Sequence, residues 1–205
     1  MKKRSPVKCL FLDIGGVLMS NGWDHGARDR AASAFNLDRA DLELRHHWVF
    51  DTYETGKLTL EEYLDRAVFY RKRPFTRERF KRFMFGQSKA YPGMIALISR
   101  LKARYALKIA VVSNEGRELN AHRIKISGLD RLVDVFVSSC YVHLRKPDVD
   151  IFKLALDLVQ APPRRVVYIE NTALFVQVAK GLAIRSILHK DLASTRAALA
   201  SIGLA

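Results

Sequence analysis

Asp13 ends a short apolar run, residues 7–12 (VKCLFL), and is followed at once by Ile14-Gly15-Gly16-Val17-Leu18. A carboxylate at the carboxyl end of a buried strand, on a glycine-loosened turn, can project into a crevice and serve as nucleophile or metal ligand. Three other places carry polar residues at or near strand ends. Ser113 and Asn114 follow KIAVV, Arg145 and Lys146 precede Pro147, and Glu170 and Asn171 follow RVVYI. Parallel strands would bring all of them to one edge of a sheet. A carboxylate, a hydroxyl, an amide, an ammonium and a second carboxylate would then converge, a set able to hold a divalent cation and a phosphate together. Singly, each has an ordinary alternative. Asp13 could cap a turn, Ser113-Asn114 could precede a helix, Lys146-Pro147-Asp148 could start one, and Glu170-Asn171 could be a turn. Their order, types and shared placement carry the chemical reading.

The elements that must position these groups are legible from residue 91 onward. Apolar, β-rich runs at 108–112 (KIAVV), 133–138 (VDVFVS), 165–169 (RVVYI) and 184–188 (IRSIL) alternate with helical patterns at 94–104 and 148–159. Near-continuous apolar strands separated by helices indicate a parallel sheet covered on both faces, and residues 7–12 join it as a further strand. Residues 22–88 contain no strand pattern and read as helices. Thr59-Leu60-Glu61-Glu62 is a capping box that opens a helix expected to run through Tyr70. Pro74 separates it from the next helix, which Thr76 caps. The expected fold is α/β, a Rossmann-like parallel sheet with an inserted helical domain. Residues 1–21 and 89–205 form the core, and 22–88 form a helical cap. An insertion at the carboxyl end of a parallel strand lies over the ligand crevice, where it excludes water and selects substrates.

The 205 residues are 49% hydrophobic, enough for a real core and against disorder. Lys2, Lys3 and Arg4 ahead of an apolar stretch imitate a signal peptide, but Asp13 interrupts that stretch. No uncharged segment is long enough to span a bilayer. The two cysteines, Cys9 and Cys140, read as reduced and buried thiols and make no zinc motif. A cytoplasmic protein without membrane association is expected. The formal net charge is +14, part of it concentrated between Arg71 and Lys89, where Glu78 is the single acid among eight basic residues. A basic surface gathers anions, whether nucleic acid or phosphorylated metabolites. A solvated helix face is the simpler reading, and the absence of any nucleic-acid-binding motif disfavours nucleic acid. His46-His47 and the cluster Phe80, Phe83, Met84 and Phe85 read as parts of the helical domain. Trp23, Asp24 and His25 lie where the chain leaves the presumed crevice and are candidates to touch substrate or, for the last two, donate a proton. Nothing in the sequence sets an oligomeric state.

Together these motifs resemble those of the haloacid dehalogenase-like (HAD) hydrolases with a helical cap between the first and second motifs. FLDIGGVL resembles the first motif, VVSN the second, RKPD the third and YIEN the fourth, and Tyr91-Pro92-Gly93 resembles the return from cap to core. The resemblance implies that Asp13 attacks phosphorus to form an aspartyl-phosphate. It implies Mg²⁺ held by Asp13, the Gly15 backbone carbonyl and Glu170. Ser113 and the Asn114 backbone N–H would bind the phosphoryl oxygens, and Lys146 would offset charge on nucleophile and phosphate. Mg²⁺ suits such oxygen ligands and needs only one or two carboxylates. Two positions depart from the pattern. Many relatives carry an acid–base Asp where this chain has Gly15, a loss worth about 10²–10⁴ in rate for general acid–base catalysis. Asn171 stands where a second acid is usual, beside the metal set and able only to hydrogen-bond to it. The expected function is a Mg²⁺-dependent phosphatase of a small phosphorylated metabolite. The alternatives are a metal-free dehalogenase, for which Gly15 is no handicap, and a weakly catalytic binding module docking an acidic partner through 71–89.

Overall fold

The computed structural model describes residues 6–205; the Lys2-Lys3-Arg4 cluster lies outside them. Five parallel strands, β1 (Cys9–Leu12), β2 (Lys108–Ser113), β3 (Val135–Ser138), β4 (Val166–Glu170) and β5 (Arg185–Leu188), form one sheet in the order β3-β2-β1-β4-β5. The central strands are buried on both faces, which is why they read as unbroken apolar runs. Alternation along β1 sends Leu10 and Leu12 into one layer and Cys9 and Phe11 into the other. The first layer is closed by α5 (Pro92–Tyr105) and α11 (Leu192–Ser201) through residues such as Ile98, Leu101 and Leu199. The second is closed by α9 (Val149–Val159) and α10 (Ala173–Gly181) through Ile151, Phe152, Ala155 and Ala179.

Strand order reverses at β1, whose neighbours β2 and β4 lie on opposite sides, and a crevice opens at such a switch point. Leu12 pairs with Ile169, so the next residues along the two strands, Asp13 and Glu170, are level with each other. The expected strand at 165–169 is shifted by one residue and carries Glu170 itself at its end. The expected strand at 133–138 starts at Val135, because the Asp134 side chain is occupied otherwise: it accepts from the Ile109 N–H at 2.8 Å and from Lys102 Nζ at 2.7 Å.

Between β1 and β2 stand α1 (His25–Phe35), α2 (Arg39–Glu54), α3 (Leu60–Ala67) and α4 (Arg77–Gly86). They enclose their own apolar core of Trp23, Phe35, Tyr53, Tyr63, Phe80 and Met84, joined by Leu119 from α6 (Arg117–Ser127). Thr59 and Glu62 form the expected capping box and Thr76 caps α4. The helix opened by Thr59 ends at Ala67 rather than running through Tyr70. Competing bonds end it: Arg73 Nε donates to the Val68 carbonyl at 2.7 Å, and Tyr70 turns outward to bond Asp41 beneath the Arg45 guanidinium. Part of the basic run is neutralised within this unit, where Arg77 pairs with Asp65 and Lys81 with Glu61. Two short helices, α7 (Leu129–Leu132) and α8 (Ser139–Val142), flank β3. Among the described residues no helix is long and apolar enough to cross a membrane.

Candidate active site

Asp13, Lys146 and Glu170 meet at the switch point, all nearly or fully buried. Lys146 Nζ lies 2.9 Å from Asp13 Oδ1 and 2.6 Å from Glu170 Oε2, and donates to Tyr168 Oη at 3.1 Å. The Tyr168 hydroxyl bonds the same Glu170 oxygen, and Glu170 Oε1 accepts from the Thr172 N–H at 2.9 Å. Burial alone would depress the Lys146 ammonium; the Asp13 and Glu170 charges outweigh it and hold the pKa above the usual lysine range. Burial, then the Asp13 charge, pushes Glu170 up, against the pull of Lys146.

Asn114 reaches this cluster through its side chain. Its Nδ2 donates to the Lys146 carbonyl at 2.8 Å, and its Oδ1 accepts from the Lys146 N–H at 2.8 Å. This two-point clasp fixes the backbone just before the cis Lys146–Pro147 peptide. In the amide orientation that satisfies both ends, Asn171 Nδ2 donates to the Gly15 carbonyl at 3.1 Å and to Glu170 Oε1 at 2.8 Å. Ser113, at the end of β2, is buried and its hydroxyl stands 3.4 Å from Glu115 Oε1.

A second buried charge pair emerges from the fold alone. Glu115 Oε1 and Arg123 Nη1 are 2.9 Å apart, with both side chains 2% exposed. Arg123 Nη2 also donates to the Ser20 carbonyl at 2.5 Å, while its Nε has no acceptor. Burial pushes Glu115 up, and Arg123 opposes that shift. The available signal was positional: Arg123 falls one turn after Leu119 on the buried stripe of α6, where a charge must be paired.

The helical unit meets the sheet body above these residues. The cleft between them is ≈ 380 Å³ and is walled by Asn21, Trp23, Tyr53, Glu115, Arg123 and Asn171, among others. Tyr53 sits so close to Gly116 that a Cβ there would lie 2.0 Å from its ring. Glu118 Oε1 accepts from the Leu60 N–H at 3.0 Å, at the start of α3. Arg145 clamps the end of α2 through Glu54 Oε2 at 2.6 Å and Asp51 Oδ1 at 2.8 Å. Burial raises the Glu54 carboxyl to about 7, with Arg145 opposing.

Trp23, Asp24 and His25 all reach the cleft wall, each with a partner already. Trp23 is buried and its Nε1 donates to Tyr63 Oη at 2.8 Å. Asp24 caps α1 by accepting from the Ala27 N–H at 2.8 Å. His25 is exposed between Asp29 and Glu43, a trio that Arg28 and Arg39 already neutralise. His46 bonds Tyr63 Oη at 2.8 Å inside the helical core.

Residues 7–180 match the family model for haloacid dehalogenase-like hydrolase, and the chain belongs to that family of hydrolases. It is 26% identical to (S)-2-haloacid dehalogenase 4A of Burkholderia cepacia over 169 residues, 80% of this chain and 71% of that protein. It is 27% identical to a phosphorylated carbohydrates phosphatase of Thermotoga maritima over 126 residues, 62% of this chain and 57% of that protein. Its fold is similar to a HAD family enzyme of Bacteroides thetaiotaomicron solved with magnesium and inorganic phosphate, at TM-score 0.75 and 16% identity, covering 90% of this chain and 94% of that one.

Proposed function

We propose that this HAD-like hydrolase is a Mg²⁺-dependent phosphatase of a small phosphorylated molecule, working through an aspartyl-phosphate on Asp13, with residues 22–88 as its cap. The carrying observation is the pair of carboxylates, Asp13 and Glu170, level on adjacent strands and bridged by the single Lys146 ammonium. By formal charge, three buried acids (Asp13, Glu170 and Glu115) outnumber two buried bases (Lys146 and Arg123) here. A bound phosphate dianion would deepen that negative excess, and a dication would offset it. The donors fit Mg²⁺, since Asp13, Glu170 and the Gly15 carbonyl offer only hard oxygens. When bound there, the ion would neutralise phosphoryl charge.

The remaining work falls to the chain. Lys146 sits against Asp13 and offsets repulsion between that carboxylate and the incoming phosphate. Ser113 and the Asn114 N–H orient the phosphoryl oxygens, while the Asn114 side chain holds Lys146 in place. The helical unit, docked through Arg145 and Glu118, limits water in the cleft. The phosphatase relative and the neighbour with magnesium and phosphate support this reading.

A second reading, a metal-free dehalogenase, is favoured by Asn171. Its amide already donates to the two oxygens, Gly15 O and Glu170 Oε1, that an ion would use. The dehalogenase relative agrees with it, and halide departure needs no proton from position 15. Hydrolysis of acetyl phosphate and p-nitrophenyl phosphate separates the two. Turnover that needs Mg²⁺ and vanishes in Asp13→Asn is expected; halide release from a 2-haloacid, indifferent to EDTA, would replace it with the second reading.

A further inference from the structure

We infer that Arg123 contacts the leaving group, and that the site is built for phosphates whose leaving group departs as a stable oxyanion, acyl and aryl phosphates rather than alkyl esters. The inference rests on the phosphatase reading and deepens it.

The argument starts from the space beside Gly15. A Cβ there would meet only Asn21 Oδ1 at 3.5 Å and Arg123 Nη2 at 3.8 Å, ordinary contacts, so the backbone does not require glycine. The groups bordering that space are an amide and a guanidinium. A guanidinium stays charged at any working pH and gives up no proton, yet it offers five N–H donors to a developing negative charge. Arg123 is held rigidly by Glu115 and the Ser20 carbonyl, and its Nε–H is left without an acceptor although the side chain is 2% exposed. Asp24 and His25, the other candidates for an acid, are committed to the α1 cap and to Asp29 and Glu43. Glu115 is committed to Arg123 across 2.9 Å, the pair that holds the guanidinium in place.

The step balances without a proton donor. An Asp13 oxygen attacks phosphorus, the bond from phosphorus to the leaving oxygen breaks, and its electron pair stays on that oxygen. A carboxylate or phenolate then departs against the Arg123 N–H groups. Water next attacks phosphorus, the bond to Asp13 breaks with its pair returning to the carboxylate, and the water protons stay on the released phosphate.

The test is kcat/KM with Mg²⁺ for acetyl phosphate, aryl phosphates of graded leaving-group pKa and glycerol phosphate. It compares wild type, Arg123→Met and the charge-matched pair Glu115→Gln/Arg123→Met, the pair guarding against a folding defect. Wild type should favour acetyl over glycerol phosphate by about 10²–10⁴, the usual worth of the missing acid. Arg123 removal should steepen the leaving-group dependence and slow phosphorylation by about 10²-fold, the loss of one oxyanion donor, while single-turnover dephosphorylation is unchanged. A shallow wild-type slope, or losses equal for every substrate in both variants, overturns the role of Arg123 and leaves the phosphatase reading standing. Absence of turnover of every phosphate by wild type overturns both.

Discussion

Asp13, Lys146 and Glu170 on one side, and Glu115 with Arg123 on the other, are two buried charge clusters that border the same turn at Gly15 and are built differently. In the first, the two carboxylates hang on strand ends, where ladder register sets their separation, and Lys146 reaches them from the segment before α9. The second joins the segment after β2 to the buried stripe of α6. Burying an ion pair costs about as much desolvation as the attraction returns, and apolar replacements are often no less stable. Stability therefore explains neither cluster. Glu115 and Arg123 wall the cleft directly, whereas the first cluster lies beside it, next to the cleft-lining Asn114 and Asn171. Strand register suits a pair that must keep a fixed separation, and a helix-borne arginine on the cleft wall suits the leaving-group contact proposed above.

Asp13→Asn should break the comparison hardest. Loss of the proposed nucleophile should cut phosphate turnover by on the order of 10⁴-fold or more, while Lys146 keeps its bond to Glu170 and the fold survives by circular dichroism. Lys146→Met comes next, because it strands two carboxylates. A loss of about 3–5 kcal/mol in urea unfolding is expected, larger at neutral pH than at pH 4. Glu54 tests the second side, since Glu115 is among the charges that raise it. The native carboxyl titrates at about 7 against 4.5 for the ordinary group, so the folded state binds more protons between those values and stability falls as pH rises through that window. Glu54→Gln should flatten that slope by on the order of 1–3 kcal/mol between pH 4 and pH 8, read from urea midpoints. The smallest effects separate two adjacent glycines. Gly16 has φ of +70° and a Cβ there would come within 2.1 Å of the Asn171 amide, so Gly16→Ala should cost about 1–3 kcal/mol. Gly15→Ala meets no such conflict and should hold stability or gain about 0.4–1 kcal/mol by thermal unfolding.

The carboxylates of the first cluster were legible because each closes an apolar run, and strand ends are where sequence position converts directly into spatial position. Ser113 and Glu170 were readable for that reason, as was the parallel sheet, while Lys146 was readable from its place before Pro147 and the helix that follows. Arg123 was not, because its burial depends on the helical unit covering α6, a tertiary fact. Tyr168 resembled ordinary strand core until its hydroxyl was found on Glu170 and Lys146. Asn114 was expected to act through its backbone, whereas its side-chain clasp on Lys146 joins residues far apart in the chain. The helix expected through Tyr70 failed on long-range competition from Asp41 and Arg45, invisible to a local capping rule.

The burial of Trp23 has an optical consequence. The chain has two tryptophans; Trp23 is 3% exposed on the cleft wall, and Trp48 on α2 is 73% exposed. Iodide will quench Trp48 and spare Trp23, so the residual blue-shifted emission belongs to the cleft. The protein thus carries an intrinsic fluorophore that reports movement of its helical unit without a label.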